Sequence, residues 1–374
     1  MHQMIATPFQ SSFLLLSPGR PQGLKIPESR FAQLQHLNPA EPCPDWLSGV
    51  ARRTWGLELS GQKSADAILV RSPSSLNYSR ASYELNLGCN YDCKHCYLGV
   101  KQFEGLPWGE RVEVLHVLRD AGIVWLQLTG GEPMIDKHFA ATYSYAFALG
   151  MMLEVLTNGS RLSNPVMLDL LTQRPPHKLT LSVYGATEET YDGLTQRRGA
   201  FAAFSRGLAA AHEAGLPLEL SIITTKENAH EADAMRALAD AYEIPSTDFA
   251  NISPTIHGDA GVLATQSPQH LTKRTQFNGC DAGNTFFHVD PHGNACTCKV
   301  ARDPKISLVS EGIDGLRRLA GIADGLLLRQ GGCTGCQLSG TCGTCMPLAS
   351  LFRKAKAPLA NYCQHTEERK VVNQ

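Results

Sequence analysis

The chain has 374 residues, 43% of them apolar and 18% charged, as expected of a folded globular protein. Thirty-four basic residues balance thirty-five acidic ones, which excludes a protein that binds nucleic acid mainly through a basic surface. No window reaches the roughly eighteen apolar residues of a membrane span, and the N-terminus lacks the pattern of a signal peptide. We therefore expect a cytoplasmic protein without nucleic-acid or membrane partners.

Residues 1–80 are predicted to form a small α+β module. The runs SFLLL (12–16) and GLKI (23–26) have strand character on either side of a turn, and ESRFAQLQHL (28–37) has helical spacing. A second helix, DWLSGVARRTW (45–55), would begin with Asp45 as its N-cap. The stretch RSPSSLNYSR (71–80) is predicted to be a linker.

Residues 81–255 alternate short β-rich runs with helix-like stretches, which predicts a parallel sheet with right-handed crossovers. Gly122, Gly150 and Gly215 stand where helix-ending glycines belong. Because six units are fewer than the eight of a closed barrel, we predict an α/β fold, a partial (β/α)6 TIM-like barrel. The predicted strands are YELNL (83–87), IVWLQL (123–128), MMLEVL (151–156), KLTLSV (178–183), PLELSII (217–223) and TDFANI (247–252).

Four distinctive loops directly follow the first four of these strands. They are Cys89–Cys96, TGGEP (Thr129–Pro133), TNG (157–159) and the loop after Ser182. Ordinary turn chemistry would explain any one of them alone. Because chemistry in such folds gathers at the carboxyl ends of the strands, four loops at the same edge favour a functional site there.

Residues 256–374 do not continue the alternation of strands and helices, and they carry most of the cysteines. NTFFHVDPHGNACTC (284–298) is predicted to be a hairpin, and DGLRRLAGIADGLLLR (314–329) a helix. Eight of the twelve cysteines lie in this last quarter, and a region so rich in Cys and Gly is predicted to fold around metal. In a reducing compartment, metal or redox chemistry is the expected use of these thiols, whereas the isolated Cys43 is interpreted as a buried structural residue.

The first cysteine group, Cys89, Cys93 and Cys96, has three thiols in eight residues. Structural zinc sites usually have four protein ligands, so a group of three leaves one position open. Iron–sulfur clusters are also held by closely spaced cysteines. A structural zinc knuckle and a cluster with a vacant position both remain open on spacing alone.

The triad after the first strand, followed by Gly130-Gly131-Glu132-Pro133 after the second, resembles the radical S-adenosylmethionine (radical SAM) superfamily. The resemblance implies a [4Fe-4S] cluster on the three cysteines and reductive cleavage of SAM to a 5′-deoxyadenosyl radical. It also implies SAM contacts: the amino group near Gly130, Gly131, Glu132 and Pro133, the adenine beside His95, and ribose or carboxylate contacts from Asn158 and Ser182.

The later cysteines resemble the SPASM extension of peptide-modifying radical SAM enzymes, which carries two auxiliary [4Fe-4S] clusters. By this resemblance the outer cluster is held by Cys333, Cys336, Cys342 and Cys363, and the inner one by Cys280, Cys298 and Cys345. Cys296 is a candidate for the inner cluster's fourth ligand, or that position is open to substrate. Two residues separate Cys342 from Cys345, whereas the family has three at this place. Paired zinc knuckles also fit the spacing of these cysteines.

The resemblance spans residues 83 to about 365 and implies SAM, three [4Fe-4S] clusters and a one-electron donor such as ferredoxin or flavodoxin. The expected substrate is a peptide, oxidatively cross-linked or otherwise modified during maturation of a ribosomal peptide product. Lys299 stands where sulfatase maturases place an Asp base, which speaks against formylglycine formation.

Residues 11–40 are compatible with a winged-helix element that binds a leader peptide as an added edge strand. The alternatives are an enzyme acting on a small metabolite such as a nucleoside or sugar, an enzyme acting on a cofactor-biosynthesis peptide, and a non-catalytic Zn or Fe–S scaffold. His257, His288 and His292 are interpreted as loop or core residues.

Overall fold

The structure is a computed structural model that describes residues 2–76, 78–272 and 274–365. Met1 and Asn77 of the predicted module 1–80, and Lys273 and 366–374 of the predicted domain 256–374, lie outside the described residues.

The N-terminal residues form a four-stranded sheet in the order β3-β2-β1-β4, in which β1, β2 and β3 are antiparallel and β4 joins β1 in parallel. The strands predicted at 12–16 and 23–26 and both predicted helices are confirmed. The predicted N-cap of the second helix is wrong: Pro44 is the N-cap, and Asp45 is the first helical residue, where its negative charge favours the helix N-terminus. β1 and β4 were not predicted, because β1 contains Pro8 and β4 has only three residues. The elements are β1 (Met4–Phe9), β2 (Ser12–Leu16), β3 (Leu24–Ile26), α1 (Glu28–Gln35), α2 (Asp45–Trp55), α3 (Ser64–Ala67) and β4 (Ile68–Val70).

Side chains alternate between the two faces of this small sheet, and each face has its own partner. Met4 and Leu15 pack with Phe31 of α1 and Leu47 of α2 in a core of their own. On the other face, Ile5, Leu14 and Leu16 contact Val124 and Met152, at the start of two strands of the central sheet. The N-terminal sheet therefore covers the amino ends of the central strands.

The linker after β4 is anchored to the same end of the central sheet. The guanidinium of Arg71 is buried and donates to the backbone oxygens of Ile123 (2.6 Å) and Arg119 (3.1 Å). This part of the predicted linker is thus packed structure, because its arginine satisfies backbone carbonyls at the ends of helices and turns.

The central sheet contains six consecutive parallel strands, β5 to β10, each hydrogen-bonded to the next. This confirms the parallel α/β class and the six predicted strands, while curvature into a partial barrel stays a prediction. β5 begins and ends three residues earlier than the predicted strand 83–87, because the ladder with β6 ends at Glu84 and Thr129. The strands are β5 (Arg80–Glu84), β6 (Trp125–Thr129), β7 (Met152–Thr157), β8 (Lys178–Val183), β9 (Leu218–Ile223) and β10 (Ser246–Phe249).

Six helices connect these strands and pack on one face of the sheet. Leu126, Val155 and Leu220 on that face are fully buried in the main apolar core. Gly122, Gly150 and Gly215 follow α4, α5 and α8 with φ of +91°, +78° and +67°, which confirms their predicted role in ending helices. The helices are α4 (Trp108–Asp120), α5 (Phe139–Ala148), α6 (Pro165–Gln173), α7 (Glu188–Thr195), α8 (Ala200–Glu213) and α9 (Ala232–Ala241).

The opposite face of the sheet, called here the inner face, is polar. Because side chains alternate along a strand, burial of the outward residues turns Ser82, Glu84, Gln127, Glu154 and Ser182 to this side. A polar face of this kind suits a polar cavity rather than a second apolar core.

The C-terminal region extends the same sheet on the other side of β5. The predicted hairpin at 284–298 is confirmed, and its first strand, β11, pairs in parallel with β5. The stretch predicted as one helix at 314–329 forms the end of one helix and all of a second. The elements are β11 (Phe286–Val289), β12 (Asn294–Cys296), β13 (Ile306–Ser307), α10 (Leu308–Leu316), α11 (Leu319–Gly325) and α12 (Met346–Lys354). Across the described residues, every helix is too short or too polar to cross a membrane.

Candidate cofactor site

The loop between β5 and α4, called here the cluster loop (residues 85–107), carries Cys89, Cys93 and Cys96. It begins directly after Glu84, at the carboxyl end of β5. Its backbone rests on the end of α7: Asp92 N–H donates to Thr195 O (2.8 Å) and Lys94 N–H to Leu194 O (3.2 Å). The three cysteines are therefore held at the predicted edge of the sheet.

The thiols of this loop are close enough to perturb one another. Burial raises the pKa of Cys89 to about 11, and burial together with Cys89 and Cys96 raises the pKa of Cys93 further. A thiolate buried in such surroundings is stabilised only when a cation offsets the loss of water. Three neighbouring, partly buried thiols thus have the donor chemistry that an iron cluster requires.

The Gly130-Gly131 segment packs directly on the cluster loop. Gly131 N–H donates to Asn86 O (3.0 Å) and Glu132 N–H to Gly88 O (2.9 Å). A Cβ on Gly131 would lie 2.0 Å from Gly88 O, and one on Gly130 would lie 2.1 Å from Asn86 O. The two glycines are therefore required by the close approach of two backbones, and this approach brings the predicted SAM-binding segment to the cysteine triad.

A polar atom next to this contact has no hydrogen-bond partner. Asn86 Oδ1 is buried without a donor among the described residues, although its Nδ2 reaches Asp136 at 3.3 Å. A buried acceptor of this kind fits a ligand that brings its own N–H or O–H groups. The unpaired Asn86 Oδ1 therefore fits a polar cofactor at this site.

Glu132 is fully buried, and its carboxylate accepts hydrogen bonds from residues after β6 and at the end of β7. Its Oε1 accepts from Met134 N–H (3.0 Å) and from the Thr157 hydroxyl (2.8 Å), and its Oε2 from Asn158 N–H (2.7 Å). Burial raises the pKa of Glu132 to about 7, against the opposing effect of these hydrogen bonds. The side chain thus ties β6 to the end of β7. A SAM contact from Gly130-Gly131-Glu132-Pro133 would use the backbone.

Asn158 and Ser182 lie at the carboxyl ends of the next two strands. The Asn158 amide donates to Asn90 Oδ1 (2.9 Å), lies 3.9 Å from Cys89 Sγ, and accepts from Ser160 N–H (3.0 Å). It therefore holds the cluster loop against the end of β7. Ser182 lies half-buried on the inner face, opposite Ser221 in the ladder.

Aromatic rings form one wall of the site. The rings of His95 and Tyr184 are 5.1 Å apart, and His95 Nδ1 has no hydrogen-bond partner in the part of the chain that the structure describes. Burial lowers the pKa of His95 to about 4, so this ring is neutral at pH 7. The sequence analysis selected His95 and the loop after Ser182, but not Tyr184 itself, because its contact with the His95 ring is not encoded in any local pattern.

A buried ion pair that was not predicted lies beneath the cluster loop. Both guanidinium nitrogens of Arg302 bind the Glu84 carboxylate (2.9 and 2.8 Å), and His288 Nε2 lies 3.3 Å from the same group. His288 Nδ1 also contacts the Ser82 hydroxyl at 2.8 Å. Burial opposes ionisation of Glu84, but the hydrogen bonds and charges of His288 and Arg302 outweigh it and lower the pKa to about 2.

A cavity of about 350 Å³ opens on the inner face beside this ion pair. Ser82, Gln127 and His288 form its sheet side, and Cys298 and Lys299 close it from the C-terminal region. The Lys299 ammonium donates to Gln127 Oε1 (3.3 Å), and burial lowers its pKa. The residue that replaces the expected Asp base is therefore fixed against the sheet.

The cysteines predicted for the inner auxiliary cluster come together. Cys298 and Cys345 are each partly buried, and Cys345 interacts electrostatically with both Cys298 and Cys280. Burial raises the pKa of Cys298 and of Cys345. Cys296 is fully buried, and its thiol lies 3.5 Å from Cys298 O.

The remaining cysteines lie in the loop before α12 and after it. Cys336 N–H donates to Cys333 O (3.1 Å), and Cys342 Sγ to Leu338 O (3.7 Å). Thr344 reaches Tyr362 O (3.1 Å), next to Cys363. Among the described residues no three His, Cys, Asp or Glu side chains are arranged to hold a metal ion as they stand. The ligand assignments stay predictions.

Residues 83–239 match the sequence profile of the radical SAM superfamily. This segment is therefore a radical SAM domain. A relative is mycofactocin maturase MftC of Mycobacterium ulcerans (strain Agy99), 26% identical over 225 residues that cover 57% of this chain and 60% of MftC. Another is an S-adenosylmethionine-dependent nucleotide dehydratase of Selenomonas ruminantium, 34% identical over 92 residues, 23% of this chain and 34% of that protein.

The matched part of the chain thus spans from about a third to three fifths of the length of these two relatives. Among solved structures, Streptococcus suis SuiB bound to precursor peptide SuiA is similar, with a TM-score of 0.56 and 13% identity. That similarity covers 85% of this chain and 88% of SuiB, and it concerns the fold.

Proposed function

We propose that this radical SAM protein cleaves S-adenosylmethionine reductively and abstracts a hydrogen atom from a peptide, which it cross-links or otherwise modifies. The observation that carries the proposal is the packing of Gly130-Gly131 on the cysteine loop. An added Cβ would lie 2.0 Å from Gly88 O at Gly131 and 2.1 Å from Asn86 O at Gly130, so both positions have room only for glycine. The two motifs of the family therefore meet at one place.

In this proposal Cys89, Cys93 and Cys96 hold a [4Fe-4S] cluster with one iron free for SAM. Such a cluster would supply one low-potential electron to the sulfonium of SAM, so that one carbon–sulfur bond breaks to give methionine and a 5′-deoxyadenosyl radical. The protein would orient the cofactor: backbone groups of Gly130 and Gly131 would face its amino group, and the neutral His95 ring with Tyr184, 5.1 Å away, would pack against its adenine.

Two auxiliary clusters are proposed on the C-terminal cysteines. The mutual electrostatic influence of Cys280, Cys298 and Cys345 supports a common inner site, beside the cavity on the inner face. A substrate in that cavity would lie next to Cys298, so the inner cluster could accept an electron removed from it. Cys333, Cys336, Cys342 and Cys363 would hold the outer cluster.

A peptide substrate is supported by three considerations. One relative is named a maturase, and the structurally similar SuiB is bound to a precursor peptide. In addition, the N-terminal sheet ends in the edge strand β3, which could accept a leader peptide as an added strand. A lysine at position 299 disfavours formylglycine formation, because a cation there cannot serve as the carboxylate base.

A nucleotide or related metabolite is the second candidate substrate. It is favoured by the higher identity, 34%, to a nucleotide dehydratase over a short segment. That segment covers only 23% of this chain. The similarity therefore supports a shared cofactor more than a shared substrate.

The first test is anaerobic iron and sulfide analysis of the reconstituted protein combined with an assay of SAM cleavage. Three cubane clusters predict about twelve irons per chain. Replacing Cys89, Cys93 and Cys96 by Ser should remove about four irons and abolish 5′-deoxyadenosine formation, while the auxiliary clusters remain. A colourless, zinc-loaded protein that never cleaves SAM would instead establish the scaffold alternative.

The second test identifies the reaction. The protein, SAM and a reductant are incubated with the product of a short neighbouring open reading frame and analysed by mass spectrometry. Loss of two hydrogens would indicate a cross-link or oxidation. An unchanged mass with α-deuterium uptake from heavy water would indicate epimerisation. Turnover of nucleotides but not of the peptide would favour the second candidate.

A further inference from the structure

A basic hollow of about 290 Å³ lies on the outer side of the cluster loop. Asn90 and Tyr91, between the first two cysteines, line it together with Arg161, Arg197 and Arg198. Arg161 follows β7, and the other two arginines precede α8. Three arginines from two loops therefore converge on the backbone that carries the triad.

These arginines are exposed, and none of them forms an ion pair within the described residues. By contrast, Arg111 and Arg302 are buried and paired with carboxylates. An exposed guanidinium without a partner contributes little to stability, so its charge is available to another molecule.

The charge around the hollow is positive although the whole chain carries a net charge of -1. The lining of the hollow contains three arginines and, among the described residues, no carboxylate. The nearby carboxylates are already engaged: Asp92 pairs with Lys101 (2.9 Å), Asp192 accepts two backbone N–H groups, and the buried Glu132 accepts three hydrogen bonds. The exposed charge at the hollow is therefore positive.

The hollow adjoins the triad, because Asn90 and Tyr91 of its lining lie between Cys89 and Cys93. The backbone N–H of Tyr91 donates to Cys89 Sγ (3.4 Å). The cavity proposed for the substrate lies on the inner face of the sheet. A partner in the hollow would therefore approach the cluster from the side that the substrate does not use.

We propose that the basic hollow is the docking surface for an acidic one-electron donor protein, an inference that rests on the proposed function. Its carboxylates would pair with Arg161, Arg197 and Arg198 and place its redox centre over Asn90–Tyr91. One electron leaves the donor, which is oxidised, and enters the [4Fe-4S] cluster, which is reduced. No bond is formed or broken in this step. Charge complementarity of this kind mainly speeds association and is weakened by salt.

The test measures binding of the anaerobically reconstituted full chain to an acidic flavodoxin and to an acidic ferredoxin, at low and at high ionic strength. Arg197→Glu/Arg198→Glu should weaken binding of at least one of them about tenfold or more at low salt. Arg197→Lys/Arg198→Lys keeps the charge and should bind within a few-fold of the wild type. Lys354→Glu/Lys356→Glu changes the charge equally at the end of α12 and should bind like the wild type.

Equal binding by the wild type and the Arg197→Glu/Arg198→Glu variant would overturn the docking surface, as would failure of the wild type to bind either donor. SAM cleavage driven by dithionite is measured in parallel and should be the same in all these variants. Absence of cleavage with every reductant would overturn the proposed function. If SAM is cleaved but the donor binds the Arg197→Glu/Arg198→Glu variant as tightly as the wild type, the docking surface alone would be overturned.

Discussion

Arg302 and Glu84 form a two-pronged ion pair, with nitrogen–oxygen distances of 2.9 and 2.8 Å, between the C-terminal region and the first central strand. Glu84 is the last residue of β5 and is fully buried, and Arg302 lies four residues after Cys298. Tyr97, next to Cys96, interacts electrostatically with both members of the pair. The pair therefore links the loop of the proposed SAM cluster to the loop of the proposed inner auxiliary cluster.

Replacing Arg302 by Ala should destabilise the protein by roughly 3–5 kcal/mol, because it leaves the Glu84 carboxylate buried and unpaired. The measurement is anaerobic urea unfolding followed by circular dichroism. Glu84→Gln/Arg302→Met removes both charges and should recover much of the lost stability. If Arg302→Ala were as stable as the wild type, the Glu84 carboxylate would have found another partner, which would contradict the prediction.

Glu132 should make the protein less stable as the pH rises through the neutral range. The pKa of Glu132 is raised to about 7 in the folded state from an ordinary value of 4.5, so the folded chain binds the extra proton between these values. The stabilising contribution is complete below pH 4.5 and is lost as the pH rises through 7. The slope is at most about 1.4 kcal/mol per pH unit.

This dependence is checked by comparing the unfolding free energy of the wild type and Glu132→Gln from pH 5.5 to 8. The variant should lose the slope. It should also be less stable by about 1–3 kcal/mol at pH 8, because a Gln amide cannot accept all three hydrogen bonds from Met134, Thr157 and Asn158. Parallel pH profiles for the two proteins would contradict the prediction.

Gly131→Ala should separate the Gly130-Gly131 segment from the cluster loop. Its Cβ would lie 2.0 Å from Gly88 O, and backbone atoms on both sides leave no flexible side chain to move aside. We expect a lower midpoint of thermal unfolding and loss of roughly a third of the bound iron. The matched control is Gly109→Ala at the start of α4, where a Cβ meets nothing within 4 Å and should be neutral or slightly stabilising. Equal iron content in both variants would contradict the proposed role.

The fold and the part of the site formed by the cluster loop and the Gly130-Gly131 segment follow from local patterns in the sequence. Alternation in KLTLSV (178–183) and helix-ending glycines such as Gly150 identify strands and helices from a few neighbouring residues. The order of parallel strands then brings Cys89, Gly131 and Asn158 to one edge, because consecutive crossovers have one handedness.

The ion pair and the inner-face cavity could not be predicted in the same way. Ser82 and His288 touch only because β11 pairs in parallel with β5 across more than two hundred residues. No local pattern encodes that pairing, and β11 itself was predicted only as half of a hairpin. For the same reason His288, interpreted as a loop or core residue, gave no signal of its contact with Glu84.

The edge of β3 gives a sharper test of leader binding than removal of residues 1–75, which would uncover Val124 and Met152. Hydrogen-bonded and non-hydrogen-bonded pairs alternate in antiparallel ladders. Counting from the two-residue turn after Phe9, the ladder bonds of β3 fall at Leu24 and Ile26, so Lys25 directs its N–H to the free edge.

Lys25→Pro removes that outward N–H without breaking a ladder bond of the N-terminal sheet. If the leader adds as a strand to β3, the variant should bind it about tenfold more weakly, since one of a few main-chain hydrogen bonds is lost and the ring obstructs pairing. Lys25→Ala keeps the N–H and should bind almost as well as the wild type. Fluorescence anisotropy with a labelled leader peptide measures both. Equal affinity for Lys25→Pro and Lys25→Ala would exclude strand addition at β3, and the opposite edge, β4, would become the place to test.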